Sequence, residues 1–174
     1  MKRALVLVEG QTEERFVKDV LGEYFLVYDL DITPTILTTK RVKNGPSFKG
    51  GVTSFRKFQN DVRRLLAGAG DALVTTLIDY VGLPSDFPAL DTRPAGDPFA
   101  RVAHVERSIA EAFGRPRAFL PYLSLHEFEA LVFSYPEELP TTLNERQRAT
   151  EFAAIRARYA TPEHINKRIG LQNG

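Results

Sequence analysis

The sequence predicts an α/β fold: a mostly parallel four-stranded sheet with helices on both faces, followed by a C-terminal helical segment. Strand and helix patterns alternate along the first 135 residues, and the first strand pattern is fully apolar, as in strands buried on both faces. Because connections between parallel strands are nearly always right-handed crossovers, this βαβαβαβα order leaves few topologies. We therefore expect an α/β domain over residues 1–135 and a helical extension over 136–174.

The first strand is predicted over residues 3–8 and the first helix over 12–25. The helix has an apolar face at helical spacing, made of Phe16, Val17, Val20, Leu21 and Tyr24. A β-branched second strand is predicted over 32–39. Pro34 within it indicates a strand near the edge or a strand that begins late, because proline cannot donate a hydrogen bond to a neighbouring strand.

A second helix is predicted over residues 53–66, and glycines after it end it. Its inward positions are Phe55, Phe58, Val62 and Leu65. A buried third strand follows over 72–78. The next segment, residues 81–97, is rich in Pro, Gly and Asp and is too long for a simple connector. We expect it to be a functional loop or a lid over the site.

A third helix is predicted over residues 98–113, and a fourth strand over 118–124 leads directly into another helical pattern. The core-facing positions of the third helix are Phe99, Val102, Val105, Ile109 and Phe113. Beyond residue 135 the apolar pattern weakens, and it predicts a charged helix over 143–159 and a short segment over 162–169.

Composition narrows the classes of function. With 174 residues and 43% apolar content the chain is long enough for one complete core. The net charge of +1 creates no overall field that attracts nucleic acid, so only local patches can do so. The absence of cysteine removes disulfides, thiolate nucleophiles and cysteine-based zinc sites. The start of the chain imitates a signal peptide, but its apolar segment is shorter than the roughly 7 residues that such a signal needs and ends in Glu9. No other apolar run approaches the roughly 18 residues of a membrane span, so we expect a cytoplasmic protein without a membrane partner.

Acidic residues follow three of the four predicted strands. Glu9 ends the first strand in front of Gly10, Asp79 follows the third strand, and residues 126–129 follow the fourth. Because parallel strands end at the same edge of a sheet, we expect these side chains to converge. Clustered carboxylates repel one another unless a cation lies between them, and oxygen ligands favour Mg²⁺ or Mn²⁺. The sequence therefore predicts a divalent-metal site of the kind that serves phosphate chemistry.

Several of these acids have an alternative interpretation that involves no metal. Glu13 lies in the first turn of the first helix, where it could complement the helix dipole behind an N-cap at Thr12. Asp79 could cap a turn. Glu127 and Glu129 could be solvated helix residues.

His126 has three possible roles: general base, metal ligand, or a ring that holds a neighbouring carboxylate in place. We favour the supporting role. The other two histidines, His104 and His164, lie on predicted helical segments away from the strand ends. The sequence contains neither the G-x-S-x-G motif of a nucleophile elbow nor a Walker motif.

The loop after the second strand contains the strongest basic cluster. Basic residues are interspersed with asparagine and glycine there, an arrangement that suits contact with phosphates, and an aromatic residue, Phe48, could stack on a base. The cluster consists of Lys40, Arg41, Lys43 and Lys49. A solvated loop is the alternative. Because the loop leaves the same sheet edge as the acids, we expect DNA or RNA to bind here.

Three motifs resemble those of one bacterial family: Val8-Glu9-Gly10-x-Thr12-Glu13, Asp79-Tyr80-x-Gly82 and His126-Glu127-Phe128-Glu129-Ala130-Leu131. They are similar to motifs of domain-of-unknown-function family 4276, which has a TOPRIM-like fold, over about residues 5–135. In TOPRIM domains of topoisomerases, primases and overcoming-lysogenisation-defect nucleases, a glutamate after the first strand and an Asp-x-Asp after the third bind magnesium. The resemblance implies the glutamate role for Glu9, the first aspartate role for Asp79, and the second glutamate of the nuclease branch for Glu13.

One position departs from this pattern, because Val81 stands where TOPRIM domains have their second aspartate. Three acids are candidates to complete the metal site: Asp86, Glu127 and Glu129. Our first functional expectation is a magnesium- or manganese-dependent nuclease, with Glu9, Asp79 and His126 at the catalytic centre. The second is a non-catalytic sensor or regulatory partner of an ABC-type ATPase, which Val81 favours.

The resemblance carries further implications about context. Family members are often encoded beside ABC-type ATPases in defence-like gene neighbourhoods. Relatives are expected to continue past Gly174, which would make this chain a truncated one. A homodimer is also compatible with the sequence.

Overall fold

A computed structural model describes residues 1–38, 51–114, 116–126 and 146–159, and a few positions between 130 and 140. The chain divides into two compact units, Met1–Leu125 and His126–Gly174. The predicted division after residue 135 stays a prediction. In the described parts, no helix has both the length and the apolar character needed to cross a membrane.

The first unit is built on a parallel sheet. Strand β1 (Lys2–Val8) pairs with β2 (Leu30–Ile36) on one side and with β3 (Leu73–Asp79) on the other. Strands β4 (Phe119–Leu120) and β5 (Leu123–Ser124) both pair with β3. The order β2-β1-β3-β4 confirms the predicted α/β class and gives a Rossmann-like arrangement. Among the described strands β2 lies at the edge, as Pro34 predicts.

Strand β1 is interior and buries residues on both of its faces. Leu7 belongs to the larger apolar core, whereas Val6 and Val8 pack with Val17 in a second, smaller cluster. Because successive strand residues point to opposite faces, helices must cover both sides of the sheet. This arrangement explains why β1 is apolar from Ala4 to Val8, after the exposed Lys2 and Arg3.

The predicted fourth strand is divided into two short strands. Pro121, between them, has no amide to donate. The buried Thr76 hydroxyl of β3 replaces the missing ladder bonds: its Oγ1 donates to the Tyr122 carbonyl over 2.6 Å and accepts from the Tyr122 amide over 2.9 Å. The expectation of one continuous strand was therefore wrong.

The helical segment after β1 changes its winding midway. It consists of α1 (Gln11–Phe16), a π-helical segment (Val17–Leu21) and α2 (Gly22–Leu26). The wider π turn rotates the residues that follow it relative to a regular helix. Val17 is fully buried and Leu21 packs beside it, but Val20 and Tyr24 are exposed. The prediction of a single apolar face was wrong for those last two residues.

Helices α3 (Phe55–Gly68) and α4 (Pro98–Ala112) contribute to the larger core. Ser54 caps α3 by accepting from the Lys57 amide, and Asp97 caps α4 by accepting from the first amides of that helix. The buried ring of Phe58 lies at the centre of an aromatic group that also contains Phe55, Phe87 and Phe113. Phe99, predicted to face the core, is exposed because it lies in the first turn of α4, before the buried positions begin at Val102.

Residues 80–97 form no helix or strand, yet the segment is anchored. Phe87 is buried, and Leu83 and Leu90 pack against the core. A lid function stays a prediction. In the second unit, a short 3₁₀ turn (Arg146–Arg148) precedes helix α5 (Ala149–Ala157), which lies within the predicted charged helix. The predicted segment 162–169 lies outside the described residues.

Candidate active site

Glu9 lies directly after β1, at the carboxyl edge of the sheet. It is half-buried, and its Oε1 accepts a hydrogen bond from the backbone amide of Asp79 over 3.0 Å. Asp79 is the last residue of the neighbouring strand β3. The structure therefore brings the strand ends that carry these two predicted site residues together, although 70 positions separate them in the chain.

The environment of Glu9 raises the pKa of its carboxyl group. Burial raises the pKa of this carboxyl above its ordinary value of 4.5, and the negative charge of Glu13 raises it further. Hydrogen bonds from the backbone of Asp79 and Val52 act in the opposite direction. In the described structure, the two hydrogen bonds do not fully offset the cost of burying the negative charge of Glu9. Carboxyl groups with such perturbed pKa values are common in functional sites.

Glu13 lies close enough to Glu9 for its charge to act on it. A Cβ atom built on Gly10 would lie 3.2 Å from the Glu13 Oε2, so glycine at position 10 leaves room for this carboxylate. Helix α1 begins at Gln11 behind Gly10, and no side chain caps it. The expected N-cap at Thr12 was therefore wrong. Glu13 still lies in the first helical turn, where its charge complements the helix dipole.

A segment that sequence reasoning missed also surrounds Glu9. A Cβ built on Gly51 would lie 4.0 Å from the Glu9 Oε2, and the Val52 backbone hydrogen-bonds to the same carboxylate. These residues lie between the predicted basic loop and α3. No local pattern in the sequence indicates this contact, because Gly51 and Val52 are brought to Glu9 only by the fold.

The other predicted site residues differ in their placement. His126 is exposed and is the first residue of the second unit. Asp86 accepts a hydrogen bond from the Phe55 amide over 2.9 Å, so its carboxylate stabilises the start of α3. Six predicted residues lie outside the described parts of the chain: Lys40, Arg41, Lys43, Lys49, Glu127 and Glu129.

The predicted metal site stays a prediction. Within the described ranges, no group of three or more Asp, Glu or His side chains is arranged to hold a metal ion. Magnesium, however, usually keeps several waters and is bound by one or two carboxylates together with substrate phosphates. Glu9 with Glu13 or Asp79 fits such an open site.

The comparisons with known proteins identify a family. The sequence profile of the family described as Domain of unknown function (DUF4276) matches residues 8–172. The chain belongs to this family. The match confirms the family that the three motifs predicted, whereas the relationship to TOPRIM domains stays a prediction. No curated protein and no solved structure matches the chain.

Proposed function

We propose that this member of the family is a magnesium- or manganese-dependent phosphodiester hydrolase that acts on DNA or RNA. One observation supports the proposal most strongly: a half-buried carboxylate, Glu9, lies at the carboxyl end of an interior parallel strand, bonded to the Asp79 amide and near Glu13. Open α/β sheets bind their ligands at this edge. The resemblance of the same residues to those of TOPRIM domains assigns magnesium to them.

Each residue has a defined part in the proposed mechanism. A bound divalent cation would polarise the scissile phosphate and lower the pKa of an attacking water. Glu9 and Asp79 would hold the cation, with Glu13 as a further carboxylate. The Asp79 amide fixes the orientation of Glu9, and Gly10 leaves the space that Glu13 occupies. The four basic loop residues, Lys40, Arg41, Lys43 and Lys49, would neutralise the phosphate backbone.

A non-catalytic role as regulatory partner of an ABC-type ATPase is the second candidate. Val81 favours it, because this residue occupies the position of the second TOPRIM aspartate and its side chain is 52% exposed without a charge to offer a cation. The lack of a three-ligand group among the described residues points in the same direction.

Nicking of supercoiled DNA and cleavage of labelled RNA, each with manganese or magnesium, separate the two candidates. We expect cleavage by the wild type and its loss in Glu9→Gln, which keeps the shape of the side chain but removes the charge. Glu23→Gln is the matched control, since Glu23 is an exposed acid on α2, away from the strand ends. If the wild type is as inert as Glu9→Gln, with and without an ABC-type ATPase partner, the hydrolase proposal is wrong.

A further inference from the structure

A surface depression of about 560 Å³ lies immediately after β3, beside the candidate active site. Its volume is within the range of about 300–1,000 Å³ that is usual for small-molecule sites. All of its lining residues come from the segment that begins at Tyr80, the neighbour of Asp79. The lining includes Tyr80, Val81, Leu83, Leu90, Asp91 and Arg93.

An aromatic ring and a permanent positive charge lie side by side in this depression. Arg93 Nη1 donates to the Tyr80 hydroxyl over 2.9 Å, and the Arg93 Cζ lies 5.8 Å from the centroid of the Tyr80 ring. A guanidinium has five N–H donors, and Arg93 is exposed. Its planar array of donors is suited to a phosphate, and the tyrosine ring is suited to stacking against a nucleobase.

Contacts with the apolar core and with α3 hold the segment that lines the depression in place. Phe87, between the two ends of the segment, is buried, and its ring contacts Phe55 at 5.1 Å and Phe58 at 5.3 Å between centroids. The hydrogen bond from the Phe55 amide to Asp86 ties the segment to α3. Ala89 is kept at a φ of 61°, a left-handed conformation that persists when surrounding contacts enforce it. A preformed cavity loses less entropy when a ligand binds.

We propose that this depression binds one nucleotide of a single-stranded nucleic acid, with the base against Tyr80 and the adjoining phosphate at Arg93. The inference deepens the proposed function and rests on it. Tyr80 directly follows Asp79 in the chain, so a nucleotide bound at Tyr80 would lie next to the acids of the candidate active site. Asp91, which also lines the depression, is placed to accept a hydrogen bond from an N–H group of the base, such as N3–H of thymine, and offers no charge to a further phosphate. The subsite therefore holds a single phosphate.

Fluorescence anisotropy with a labelled oligothymidylate tests the subsite, in a Glu9→Gln background so that the strand is not cut. Loss of base stacking in Tyr80→Leu should weaken binding by about 5- to 150-fold, equivalent to about 1–3 kcal/mol. Tyr80→Phe keeps the ring and should bind like its parent. Arg93→Ala should reduce the slope of log affinity against log salt by about 0.7, the value for one phosphate of a single strand. Tyr28→Leu and Arg107→Ala, at exposed positions elsewhere, are the matched controls.

The outcomes distinguish this inference from the proposed function. If Tyr80→Leu and Arg93→Ala bind like their parent while the Glu9-dependent cleavage holds, the subsite is wrong and the hydrolase stands. If they lose affinity but the wild type never cleaves, the subsite stands alone. Absence of oligothymidylate binding by the parent overturns the subsite. Equal affinity for free thymidine monophosphate would assign the depression to a free nucleotide and overturn the inference about a strand.

Discussion

Replacing Glu9 by glutamine or by alanine separates two contributions of this residue to stability: the hydrogen bond that its side chain accepts and its negative charge. Glu9→Ala leaves the Asp79 amide without its acceptor, and an unsatisfied buried donor costs about 1–3 kcal/mol. Asp79 is half-buried, so the lower half of that range applies. For a chain of this length each kcal/mol lowers the Tm by about 2–4 °C. We therefore expect Glu9→Ala to melt about 2–8 °C below Glu9→Gln, which keeps an oxygen acceptor.

The charge of Glu9 is tested by the pH dependence of the Tm difference between the wild type and Glu9→Gln. Burial, the main cause, holds the pKa of Glu9 above 4.5 in the folded state. Between 4.5 and that raised pKa, the folded state binds more protons than the unfolded state, so the contribution of Glu9 to the free energy of unfolding falls as pH rises. Below 4.5 the carboxyl is protonated in both states and the penalty is absent. We expect the Tm of Glu9→Gln relative to wild type to increase from about pH 4 to about pH 7.

Differential scanning fluorimetry across this pH range, with and without manganese, is the assay. A cation that binds only the folded state, present at a concentration of about 100 times its Kd, adds about 2.7 kcal/mol to the free energy of unfolding. We expect that gain in the wild type and a much smaller one in Glu9→Gln. If the wild type and Glu9→Gln show the same pH dependence and the same response to manganese, Glu9 neither carries a destabilising buried charge nor binds the cation.

Three further substitutions test neighbouring parts of the site. Val81→Asp, at an exposed position, should raise manganese affinity in calorimetric titration if the turn after β3 has TOPRIM geometry; unchanged affinity would place position 81 outside the site. Gly10→Ala should lower manganese affinity slightly without unfolding the chain, because the added Cβ would lie 3.2 Å from the Glu13 Oε2 and shift that carboxylate by a few tenths of an ångström; wild-type affinity would show that this position of the Glu13 carboxylate does not matter for the cation. Replacing Lys43 and Lys49 by alanine should weaken DNA binding and reduce its salt slope by about one unit for each phosphate that these lysines neutralise; an unchanged slope would make the basic loop an ordinary solvated one.

Local patterns were sufficient for the order of the elements. Apolar runs and helical spacings depend on neighbouring residues, so the positions of β1, β3, α3 and α4 could be read within a few residues, and Pro34 correctly indicated an edge strand. The alternation of strands and helices then implied a parallel sheet, which in turn predicted that Glu9 and Asp79 end at one edge. This much follows from the sequence because it requires no knowledge of which side chains touch.

The details that decide the chemistry depend on contacts between distant segments. The π-helical turn that exposes Val20 and the Thr76 hydroxyl that replaces ladder bonds beside Pro121 have no periodic signature. The same is true of Asp86, an acid that sequence reasoning considered for the metal site but whose carboxylate holds a helix start. Above all, the raised pKa of Glu9 results from burial and from backbone groups about 40 and 70 positions away in the sequence. Only the folded chain brings those groups together, because solvent exclusion and hydrogen-bond partners are properties of the tertiary structure.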